Sequence, residues 1–144
     1  MMRRLLPAPL ATLGEKVSLA GEILVAYTGA RWQMRKGDIR EMTSAARAQL
    51  GPSPCPELTT EETWKIAVHL GHIVNRTLRI APTDSRCLVQ SLVLSRLLSA
   101  RGITSTLVIG ARPRPTFAAH AWVEHAGRPV LPVRGYGGSR LLEL

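Results

Sequence analysis

An α+β fold is what this sequence predicts, with helices first and an antiparallel sheet after them. Three observations carry that expectation. Apolar residues recur at helical spacing as far as Gly102. From Ile103 the pattern changes to β-branched residues in alternation. Runs rich in proline and glycine, such as "GPSPCPEL" and "ARPRPTF", punctuate the chain between the periodic stretches. With 144 residues, 45 % of them hydrophobic, the chain can bury a real core and is excluded from the disordered class. It reads as one domain, 1–144. Within it lie a helical N-terminal region at 1–50, a core at 55–135 and a glycine-rich tail at 136–144, the tail being compatible with mobility.

The first helix is expected over 15–28, where Val17, Leu19, Ala20, Ile23, Leu24 and Tyr27 repeat at helical spacing and Gly29 ends the run. A second starts at Asp38, with Glu41 completing a capping-box pattern, and closes at Gly51. "GPSPCPEL" is then a hinge, because three prolines in five residues continue neither a helix nor a central strand. The third helix lies in "TTEETWKIAVHLGHIVNRTL", capped by Thr59 or Thr60, with Glu61 and Glu62 at its positive end. After the turn "APTDS" a fourth helix runs to Gly102, its C′ glycine. Strands follow in "ITSTLVIG" (103–110), "AAHAWVEH" and, after a short turn, "RPVLPV".

Lys and Arg total 19 against 10 Asp and Glu, most of the cations being arginine. A charge of +9 suits nucleic acid, an anionic membrane or an acidic peptide without choosing among them. Only six residues are aromatic, none in a stacking series, so a nucleic-acid partner is not expected. Two cysteines are too few for a secreted disulfide scaffold, and Pro7 and Pro9 break the apolar stretch of "MMRRLLPAPLATLGEK". The expected setting is cytoplasmic. A loose association of the N-terminal helix with a membrane is compatible with it.

Cys87 stands at the mouth of the fourth helix. With Asp84 or Ser85 as N-cap, it falls among backbone N–H groups that lack partners and would favour a thiolate. The plainer alternative is a small apolar residue in a buried helix. Of four histidines, His69 and His72 share a helix face, but no carboxylate or cysteine pair stands at ligand spacing, so no metal is expected. His125, at a hairpin tip, is expected to be solvated. His120 opens the strand "HAWVE", which sets His120, Trp122 and Glu124 on one face and Ala121 and Val123 on the other. Cys55, between Pro54 and Pro56, has neither a helix start nor a base and reads as an incidental thiol.

The stretch 84–131 joins "RCL" at a helix start, "S-L-x-L-x-x-L-L-x-x-R-G", an "L-x-I-G" strand and "AHAWVE", with His120 33 residues after Cys87. It resembles the core of the lasso-peptide leader peptidases, B2-type maturation proteases of the transglutaminase-like cysteine protease family. The resemblance implies a transglutaminase/papain-like core, with the cysteine at a helix N-terminus packed on an antiparallel sheet. It implies Cys87 as nucleophile and His120 as base, acting on the leader region of a ribosomally made precursor peptide, with no cofactor. A separate leader-recognition protein (B1-type) would be the partner, and an ATP-dependent lasso cyclase would act next. Gln90, Trp122 and Glu124 are possible supporting residues.

The family usually carries an aspartate on the strand after the histidine strand. Here a three-residue turn sets Pro132 opposite His120 and a two-residue turn sets Val133 there; neither is an acid. Glu124 lies four residues along the strand, about 13 Å away. The third member of the site stays unassigned. Two other readings fit the same residues: a non-catalytic peptide- or partner-binding member of the fold, and a different acyl-transferring transglutaminase-like enzyme.

Overall fold

The computed structural model describes residues 13–36, 58–80, 86–113, 115–133 and 139–143. Among them are three helices, α1 (Leu13–Lys36), α2 (Thr60–Leu78) and α3 (Arg86–Ser99). Strands β1 (Thr106–Arg112), β2 (Ala118–His125), β3 (Arg128–Pro129) and β4 (Ser139–Glu143) follow, so the fold is α+β with the helical part leading. The sheet is antiparallel in the order β3-β2-β1-β4.

α1 continues eight residues beyond the expected end at Tyr27–Thr28, through Gly29 to Lys36. Gly29 is a close-approach site: a Cβ there would come within 2.8 Å of an Arg96 guanidinium nitrogen. Arg96 crosses α1 at that point, donating to the Ala26 carbonyl at 3.3 Å and to the Gln33 side chain. The Arg96 guanidinium thus fills the space beside the glycine, and the helix continues through it. The expected helix from Asp38, the hinge at 51–57 and Cys55 lie outside the described residues.

α2 begins as the sequence predicts, and Thr59 is the cap. Its hydroxyl accepts from the Glu62 N–H, while the Glu62 carboxylate accepts from the Thr59 N–H at 2.9 Å. These bonds to the Thr59 backbone and hydroxyl hold the Glu62 carboxyl below its ordinary range. α3 ends in a Schellman motif: Ile103 N–H donates to Leu98 O at 3.0 Å and Gly102 N–H to Ser99 O at 2.9 Å. Ile103 and Leu98 are both buried beside it.

α3 is the central element. It packs on α1, α2, β1 and β2, and its Val89, Leu92, Val93, Leu94, Leu97 and Leu98 are buried. Ile23 and Ala30 of α1 join the same core, as do Leu107, Ala121, Val123 and Val130 from the sheet side. The helical N-terminal region is thus built into the core through α1.

β2 and β3 are joined by a two-residue turn, Ala126-Gly127, with φ of 50° and 74° and the register Glu124↔Pro129 and His125↔Arg128. Positive φ at both positions is the type I′ geometry that suits the strand twist. Pairing ends soon after, with Val130 N–H donating to Val123 O at 2.9 Å. The expected strand "RPVLPV" is therefore short, as a segment with Pro129 and Pro132 has fewer N–H groups to offer. Part of the tail differs from expectation in the other direction: residues 139–143 form β4 against β1.

Candidate active site

Topology brings the two expected catalytic residues to one end of the molecule. α3 is about 21 Å long and β1 about 23 Å, and only residues 100–105 connect them while the two elements pack together. β1 therefore runs back along α3, so its end at Arg112 lies level with the helix start. β2 begins at that same end. Cys87, half-buried, is the second residue of α3. His120, also half-buried, is the third residue of β2.

Which way the side chains face follows from the register. Leu107↔Val123 and Ile109↔Ala121 are paired on the sheet face that shares the core with α3. Val108↔Trp122 and Gly110↔His120 are paired on the reverse face. The alternation expected from sequence is thus present, and it turns His120, Trp122 and Glu124 away from the helix-packed layer.

On that reverse face the side chains form a connected series. His120 stacks on Trp122, with ring centroids 6.1 Å apart and an interplanar angle of 22°. Trp122 donates its indole N–H to Glu124 Oε1 at 2.9 Å. Arg140, from β4, closes on the same carboxylate with bonds of 2.8 Å to Oε1 and 3.2 Å to Oε2. It also reaches Glu143 at 2.9 Å. The hydrogen bond to Glu143, then the charge of Glu124, hold Arg140 all the more firmly protonated.

Glu124 is buried, and its carboxylate serves Trp122 and Arg140. Its link to His120 runs through the Trp122 ring. Burial pushes the His120 imidazole below its ordinary value, which keeps the ring neutral and able to accept a proton near pH 7. The two-residue turn selects the second of the two sequence countings, in which extension of the β2–β3 register sets Val133 opposite His120. Gln90 is half-buried on α3 and donates to Asn75 on α2 at 3.4 Å, a bond between helices.

One expectation is corrected. His125 is not solvated: it is buried, with Nδ1 2.7 Å from Thr104 O and Nε2 2.8 Å from Thr63 Oγ1. A carbonyl only accepts, so Nδ1 donates to Thr104, while Nε2 shares a hydrogen bond with the Thr63 hydroxyl, which also reaches the Thr60 carbonyl at 2.9 Å. The short turn places His125 on the helix side of the sheet, where the start of α2 covers it. Its role is to tie α2 to the β1–β2 end. His69 and His72 are exposed on α2, and no group of three metal-ligating side chains converges among the described residues.

Sequence reasoning missed Arg140. The signal available was slight: a buried acid on a strand needs a cation, and the tail offers one within "SRLLE".

Comparison with curated proteins and with solved structures returned no match. The family model of the transglutaminase-like superfamily matches residues 23–137, a span that holds the second half of α1, all of α2 and α3, the first three strands, Cys87 and His120. By that match over most of its length, the chain belongs to the transglutaminase-like superfamily.

Proposed function

We propose that the protein is a cysteine protease that removes the leader from a ribosomally made precursor peptide during lasso peptide biosynthesis, acting with a separate leader-recognition protein. The observation that carries this reading is the placement of Cys87 in the first turn of the central helix, level with the His120 end of β2, in a superfamily whose members are commonly cysteine proteases. The sequence run 84–131 supplies the narrower assignment.

In this reading Cys87 loses its proton to His120, helped by the dipole of the α3 start. The thiolate attacks the scissile carbonyl, the C–N bond breaks as His120 protonates the leaving amine, and water releases the acyl group. Donors at the helix start, the Cys87 N–H among them, would meet the oxyanion. His120 must then swing over the end of the sheet towards the helix mouth, and the bound peptide or the partner would drive that movement.

The test is the alkylation rate of Cys87 against pH, in the wild type and in His120→Ala. A thiolate well below the usual thiol pKa of about 8.5, lost in His120→Ala, supports the pair. Cleavage of a precursor peptide in the presence of the recognition protein is the second step. A second reading, a non-catalytic peptide-binding member of the fold, is favoured by His120 facing away from the layer packed on α3. It predicts that Cys87 titrates as an ordinary thiol with the partner absent and present.

A further inference from the structure

α1 carries a surface that the proposed reaction does not use. Val17, Leu24, Val25 and Trp32 are 65 %, 58 %, 73 % and 60 % exposed. At 100° per residue they fall within an arc of about 100° of the helix surface, with Gly21 and Thr28 between them. The stripe runs about 22 Å along the helix. Such a run of large exposed side chains on one face is not the scattered exposure normal for a soluble surface.

The two acids on α1, Glu15 and Glu22, keep to one face, the half turned towards the core that also carries Lys16, and Glu22 is paired there with Arg101 at 3.0 Å. Arg35 falls on the stripe itself, Arg31 and Lys36 fall beside it, and the Lys36 ammonium sits 3.7 Å from the centroid of the Trp32 ring. The outward face of α1 is therefore apolar and cationic, with no carboxylate, on a chain of net charge +9. A second copy of the same face would bring these cations opposite one another, which disfavours a symmetric dimer.

We propose that the outer face of α1 docks on an anionic phospholipid surface. Trp32 and Lys36 would sit at the headgroup level, Val17, Leu24 and Val25 would enter the acyl boundary, and Arg31 and Arg35 would meet lipid phosphates. The helix lies in the plane of the interface, and the protein stays peripheral. No helix among the described residues is long and apolar enough to cross a membrane.

The test is sedimentation of the full chain with phosphatidylcholine vesicles, with and without phosphatidylglycerol, at low and moderate salt. The expected result is binding to the anionic vesicles well above the neutral ones, falling steeply as salt rises. Brominated acyl chains should quench tryptophan emission, and Trp32→Ser should remove most of that quenching. Leu24→Ser with Trp32→Ser, and separately Arg35→Gln with Lys36→Gln, should each weaken binding by about tenfold or more. All these side chains are exposed, so an unchanged melting temperature checks that the variants fold. Equal binding to both vesicle types, binding indifferent to these variants, or no binding overturns the proposal. A dimer in solution that shields Trp32 overturns it too, and would assign the stripe to a second copy.

Discussion

The Trp122 ring lies against the His120 imidazole, 22° from parallel, and gives its one N–H to Glu124. The stack and the hydrogen bond use different parts of the indole, so they can be separated. Trp122→Phe should keep the stack and cost about 1–2 kcal/mol through the lost hydrogen bond and the smaller ring. Trp122→Ala should cost about 3–5 kcal/mol, as expected for a buried aromatic. Urea denaturation of both variants checks this; equal losses would mean that neither the stack nor the buried ring area contributes.

Arg140 is the cation for a buried carboxylate and also the clasp that holds β4. Arg140→Gln should lower stability, by leaving the buried Glu124 carboxylate without its cation. Hydrogen exchange should then quicken in 139–143 before it quickens in β2, because among the described residues β4 pairs only with β1, at the sheet edge.

His120 has a folded-state pKa below its unfolded value because burial disfavours the imidazolium. In the window between the two, the unfolded chain binds more protons, so stability rises with pH. The contribution is complete above the ordinary histidine value of about 6.5 and is lost as pH falls towards the lower folded value. His120→Gln should flatten the melting temperature between neutral and mildly acidic pH. If its slope there matches the wild type, another group governs this range.

His125 bridges Thr63 on α2 and the Thr104 carbonyl before β1. His125→Ala should cost about 2–4 kcal/mol, combining two lost hydrogen bonds with a cavity. His125→Asn, which can keep at most one of the bonds, should recover part of that loss. Thermal unfolding of the pair checks the order.

Ala126 holds φ of 50° at the first position of the β2–β3 turn, where a Cβ is disfavoured. Ala126→Asn should raise stability by about 0.5–1 kcal/mol, since Asn tolerates that region and faces solvent here. An unchanged or lowered melting temperature would mean that the turn tolerates alanine at no cost.

Much of this architecture was legible in the sequence for identifiable reasons. The α2 cap, the Gly102 stop and the β2 strand are local devices, written in a few adjacent residues: Thr59 with Glu62, Gly102 with Ile103, and "AAHAWVEH". The failures are non-local. Gly29 looked like a terminator because its partner, Arg96, lies 67 residues later. His125 looked exposed because Thr63, far earlier in the chain, comes over it. Glu124 looked like an acid on the His120 face without a partner of its own until Arg140, from the tail, reached it. Of the candidate site, the sequence showed the residue types and the shared face of His120, Trp122 and Glu124. Which sheet face α3 would cover is decided by packing of Leu107, Ile109, Ala121 and Val123, and alternation alone cannot tell inside from outside.

The central position of α3 has a consequence for how the molecule can move. A helix gripped by α1, α2 and two strands is the part least free to shift, so its first turn is an anchored platform. What freedom this layer has lies instead in the first residues of β2, Ala118 to His120, which are less buried than the run Ala121–His125.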